Sequence, residues 1–172
     1  MQGVSRTTFA VYGLSPGDGR GGYVDSRRVS HYWPIEEFLF DLPHWDGQDR
    51  IRALADCVPC ENKEWRDFFY IWFLSMVAHW LQMDREHANS TSPLLVGPQG
   101  CRKSSFCQSL LPPELRPYYV DGIDLGSRKD AEMALNRFAL INLDEFDSIP
   151  ASRQPYLKNL LQKAKVTLRK PY

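Results

Sequence analysis

No hydrophobic run in this chain reaches the ~20 residues that a membrane-crossing helix needs. The most apolar stretch, residues 68–83, is broken by Ser75, His79 and Gln82 and reads as a buried helix, so no membrane partner is expected. No secretory leader is expected either, because "MQGVSRTTFAVYGLSPGDGRGG" has no continuous apolar centre. A cytoplasmic protein is the expectation. Net charge is missing too: 21 basic and 21 acidic residues cancel, which removes any global pull toward nucleic acid or a membrane surface. Cysteine is scarce, at positions 57, 60, 101 and 107. The pair in "CVPC" has the spacing of zinc or redox ligands, yet neither a second C-x-x-C nor an H-x-x-x-H accompanies it. Reduced, unrelated and mostly buried thiols are therefore expected.

The 172 residues, 43% of them hydrophobic, suffice for the core of one ordinary domain with an appendage. Charge is segregated along the chain. Residues 34–64 hold eight acids against three bases, and residues 151–172 hold six bases and no acid. The plain reading of such runs is a pair of solvated faces; the sharper one is a basic surface that meets phosphates.

Three stretches differ in texture. Residues 1–31 are rich in Gly, Ser and Arg without periodicity and read as a flexible lead or the edge of a larger protein. Residues 32–90 read as a helical region. Pro34 opens a short helix with Glu36 and Glu37 in its first turn, "WDGQ" makes a turn, and Asp49 caps a second helix through Ala55. A long helix from Glu64 to Met83 is apolar on nearly every face, hence expected to be covered on all sides, with Trp72, Met76 and Trp80 inward. From residue 91 onward short apolar runs alternate with helical ones. Leu94 to Gly97, Tyr118 to Asp121, Leu140 to Asp144 and Val166 to Leu168 are expected as parallel strands of one sheet with helices on its faces, an α/β fold. The first of these is expected beside the strand ending in Asp144.

Chemistry concentrates in "LLVGPQGCRKSSF", residues 94–106. A strand, a glycine-bearing turn and a helix opening on Lys-Ser make the pattern G-x-x-x-x-G-K-[ST], with Arg102 where a glycine is expected before the lysine. Gly97, Pro98, Gln99, Gly100, Cys101, Arg102, Lys103, Ser104 and Ser105 would surround a nucleotide's phosphates. Lys103 supplies the cation and Ser104 the magnesium hydroxyl. About forty residues on, "ALINLDEF" is an apolar strand ending in paired acids, Asp144 to hold magnesium through water and Glu145 to orient or deprotonate the attacking water. Arg102 has two readings. Either it takes ordinary helical-entry angles and turns its side chain outward, the preferred reading because every other position is filled, or its bulk denies the phosphates a close approach.

"YWPIEEFLFDLPHWDGQDRIRALADCVP", "WFLSMVAHWL", "PLLVGPQGCRKSSFCQSLLP", "INLDEFD" and "LKNLLQKAKVTLRKPY" resemble, in this order, blocks of the virulence-associated protein E family, from residue 32 to the end. The resemblance implies a P-loop NTPase core (AAA+/superfamily-three-helicase-like) at residues 91–172, incomplete at the C-terminus and preceded by the helical region. It implies ATP and magnesium as cofactors, DNA as a partner, ring assembly of the full-length protein, and a place in phage or mobile-element replication. It also carries Lys103, Ser104, Asp144 and Glu145 as site residues and places Arg169 near them. With a strand and an arginine expected beyond Tyr172, weak ATP binding and slow turnover, or none, are expected of this piece. The alternative is a non-catalytic nucleotide-binding or interaction module.

Overall fold

The computed structural model describes residues 4–11, 34–81, 83 and 91–161. Local chemistry explains the helical start. Proline at the first position and two glutamates in the first turn favour α1, Pro34–Phe40. Asp49 then caps α2, Arg50–Ala55, by accepting the Arg52 N–H at 3.0 Å. The long helix α3, Trp65–Trp80, turns Phe69, Trp72, Met76 and Trp80 into the core, at the three- and four-residue spacing that lines one helix face. Trp72, Met76 and Trp80 thus point inward as expected. The opposite face does not follow expectation: Phe68 and Ile71 are 58% and 60% exposed. A helix laid on a core as an outer layer buries only the stripe beneath it, whatever its other faces carry.

Four strands form one sheet: β1, Val4–Val11; β2, Leu94–Pro98; β3, Tyr119–Asp121; and β4, Leu140–Leu143, in the order β2-β1-β4-β3. Strands β3 and β4 are parallel, whereas β1 runs antiparallel to both β2 and β4. The fold is therefore mixed α/β, and the all-parallel sheet is corrected. The loop's strand does not adjoin the strand leading to Asp144, because β1 lies between them. Part of the stretch expected as a flexible lead is thus an interior strand. Its Val4, Thr7, Thr8, Phe9 and Val11 are strand formers, a local signal diluted by the glycines and serines around it. The expected strand at Val166 to Leu168 lies outside the described residues. Because both are antiparallel to β1, β2 and β4 point the same way, and β3 points with them.

Strand β4 is buried on both faces and serves two cores. Leu140 joins Trp72, Met76, Trp80, Leu95 and Leu111 on the helical side. Ile141 and Leu143 join residues of α5, Arg128–Arg137, and α6, Gln154–Leu161, on the other. A buried hydrogen bond from Trp80 Nε1 to the Ala139 carbonyl, 3.1 Å, ties α3 to the start of β4. Helix α4, Lys103–Ser109, leads from β2, and a 3-10 turn over Pro113–Tyr118 follows where the prolines end it. No helix among the described residues is long and apolar enough to cross a membrane.

Candidate functional site

The turn between β2 and α4 is built for close backbone approach. A Cβ on Gly97 would stand 3.1 Å from Cys101 Sγ, and Gly100 has φ of +81°. Arg102 adopts φ 66°, ψ 28°, the left-handed conformation. This corrects the expected helical-entry angles: the arginine takes up the backbone shape that glycine gives freely, at a cost of about 1–2 kcal/mol. Lys103 folds back over the turn, donating from Nζ to the carbonyls of Gly97 (3.2 Å) and Pro98 (3.0 Å). Its ammonium also lies 3.6 Å from Cys101 Sγ. Gln99 completes the turn, and Ser104 and Ser105 open α4.

The second turn, after β4, meets the first directly. Ser104 Oγ donates to Asp144 Oδ2 at 2.9 Å, across forty residues of sequence. A hydroxyl and a carboxylate at this spacing are hard oxygen donors of the kind magnesium takes, so the residues present fit that ion. Asp144 Oδ1 accepts the Glu145 N–H at 3.0 Å. Glu145 has φ 52°, so it too is left-handed, and among the described residues it and Arg102 are the non-glycine residues with positive φ. Backbone strain thus collects at the two turns that the site motifs occupy.

A third acid, Asp121, ends β3 at the same sheet edge and was not among the expected site residues. Its Oδ1 accepts from Tyr119 Oη (2.6 Å) and Asn142 Nδ2 (2.8 Å), the latter from a wholly buried side chain. Burial, with the Asp121 hydrogen bond and charge behind it, pushes the Tyr119 phenol well above its usual range, so it stays a donor. The signal was in "YYVDG", an apolar run closing on an acid as "INLDE" does. Nearby Cys107 is fully buried, and burial first, then Asp121 and Asp144, push its thiol up to about 12.

Beside the first turn lies a chamber of about 670 Å³, walled by residues 57–60 and Trp65 of the helical region, by β2 and by α4. Cys57, Cys60 and Cys101 line it and are exposed, a correction to the expected burial of the thiols; Cys107 alone is buried. Cys57 and Cys60 sit in the connection between α2 and α3, residues 56–64, and connections of this kind run over the surface. Among the described residues no group of three or more His, Cys, Asp or Glu is placed to hold a metal ion, so the "CVPC" pair gains no further ligand there.

Of the basic run near the end, Arg153 and Lys158 are described and exposed; Lys163, Lys165, Arg169 and Lys170 lie outside the described residues. Neither a curated protein nor a solved structure shows significant similarity to the chain. A family model does match, over residues 39–172, that of the virulence-associated protein E-like domain. The match takes in both turns, the chamber wall and most of the helical region, and on it the chain belongs to the virulence-associated protein E-like family.

Proposed function

We propose that this chain is a P-loop ATPase domain of a helicase-like, DNA-associated replication protein of a phage or mobile element, binding ATP with magnesium and hydrolysing it. The observation that carries the reading is the 2.9 Å hydrogen bond between Ser104 and Asp144. It joins the end of one motif to the end of the other, where a shared magnesium would need both oxygens. Family membership supports the replication setting.

Lys103 has its ammonium over the loop carbonyls and would supply the cation for the outer phosphates of a bound triphosphate. Ser104 and Asp144 would hold magnesium, whose charge would offset that developing on the transferred phosphoryl group. Glu145, whose backbone is left-handed, would orient the attacking water and take up its proton. Arg153 and Lys158 form the described part of a surface for DNA phosphates.

Calorimetry with magnesium-ATP on the wild type and on Lys103→Ala tests binding, and phosphate release by the wild type and by Glu145→Gln tests hydrolysis. Equal ATP affinity in the wild type and Lys103→Ala would remove the loop as a phosphate site.

A further inference from the structure

We infer that the 670 Å³ chamber beside the loop takes the base and ribose of a nucleoside triphosphate, so that the helical region meets the nucleotide whose phosphates the loop would hold. The inference rests on the nucleotide reading above and adds where the base lies and what holds it.

Position comes first. The chamber is continuous with the loop, sharing Gly97, Pro98, Cys101 and Lys103 with it, and extends from there along α4 toward residues 57–60. Size agrees, since small-molecule sites commonly run to ~300–1,000 Å³. The lining agrees too: Val58, Pro59, Trp65 and Phe106 offer apolar faces, and Ser105 and Ser109 offer hydroxyls. A flat aromatic base with polar edges matches that mixture; a sugar phosphate without a base would leave the apolar wall uncovered.

The aromatic wall is fixed in advance. Trp65 Nε1 donates to the Ala55 carbonyl at 3.0 Å, and its ring sits 5.2 Å from that of Phe69. Phe106 packs on the same ring at 6.1 Å. Rings held by the core lose little freedom when a ligand arrives, which leaves more of the stacking energy for binding. Arg102 lines the chamber as well. Its side chain gives the strained position a use that glycine could not supply: a guanidinium can lie against a base or a phosphate.

The chamber carries its own reporters. Cys57 and Cys60 are on its wall, Cys101 is on the loop, and buried Cys107 is a control. Alkylation of the whole chain with iodoacetamide, mapped by peptide mass, is compared with magnesium-ATP, with magnesium-tripolyphosphate and with neither. ATP should slow labelling of Cys57, Cys60 and Cys101. Tripolyphosphate should slow Cys101 alone, and ATP should bind about tenfold or more tighter than tripolyphosphate, the worth of one stacked base. Cys60→Trp, which fills the chamber from an exposed position, should bring that ratio close to one. Equal affinities and the same protected cysteines with both ligands would overturn the base site and leave the loop reading intact. Failure of both ligands to protect Cys101 would overturn the loop reading, and the inference with it.

Discussion

The turn after β2 and the turn after β4 leave the sheet in the same direction, and each puts a non-glycine residue into the left-handed region, Arg102 at φ 66° and Glu145 at φ 52°. They differ in what stands around that residue. The first turn has Gly97 and Gly100 to bend the backbone and folds a lysine over its own carbonyls. The second has no glycine and is held by its own carboxylate, Asp144, which accepts the next residue's N–H and the Ser104 hydroxyl. On the proposed reading one turn would surround an anion; the other presents acids. In both, a non-glycine residue carries a backbone cost of about 1–2 kcal/mol.

The comparison breaks most visibly if the two turns share one role. Glu145→Gln removes a proton acceptor but neither volume nor backbone shape, and should lower phosphate release by about 10²–10⁴-fold while ATP affinity stays within about twofold. Lys103→Ala should do the reverse in kind. Loss of a charge-assisted contact to phosphate costs about 1.5–3 kcal/mol, which is roughly 10- to 150-fold in Kd by calorimetry. If Glu145→Gln weakened ATP as much as Lys103→Ala does, the division between an anion turn and an acid turn would be lost.

Backbone strain sharpens the comparison at smaller scale. Glycine avoids the αL cost of about 1–2 kcal/mol but gives back about 0.5–1 through the freedom it has when unfolded. Arg102→Gly and Glu145→Gly should therefore each raise unfolding stability by about 0.5–1 kcal/mol in urea titrations, with the m-value unchanged. The functional consequences should separate. Arg102→Gly should lose affinity for ATP by a few-fold through the chamber, whereas Glu145→Gly should lose turnover. No gain in stability at either position would mean that the left-handed geometry is not a strain there.

Both turns were legible in the sequence because glycine placement, Lys-Ser and a strand-terminal acid pair are local signals. Their meeting was legible only as an expectation, since the Ser104–Asp144 contact depends on how the strands are ordered. That order was not readable. Strand β1 earns its place by pairing with two distant strands, and nothing within residues 4–11 says which. The chamber was hidden for the same reason: Val58 and Pro59 look like an ordinary inter-helix loop until α3 lays them beside β2 and α4. The outer face of α3 shows the opposite limit. Phe68 and Ile71 are as apolar as their buried neighbours, so composition could not tell which stripe the core would take.

A third turn supplies the contrast with both strained ones. In "WDGQ" the left-handed position belongs to Gly47, φ +84°, so no side chain is forced into it. The turn is held by polar bonds instead: Asp46 accepts the Gln48 N–H at 3.0 Å and two bonds from the Arg50 guanidinium, at 2.7 and 2.5 Å. The Arg50 hydrogen bonds, then that of Gln48, hold the Asp46 carboxyl well below the usual carboxylate range. A carboxyl depressed by folding contributes stability above its unfolded value and loses it as pH falls toward the folded one. The difference in stability between the wild type and Asp46→Asn should therefore be present at neutral pH and shrink as pH drops below about 4. Both partners of the pair are exposed, which keeps that difference small. ATP affinity and turnover should not change, because this turn supplies neither an anion loop nor an acid to the site. A pH-independent difference would mean that Asp46 acts through the shape of the turn rather than through its charge. A loss of ATP binding in Asp46→Asn would mean that a glycine-served turn away from the sheet edge is coupled to the strained ones, and the separation drawn between them would fail.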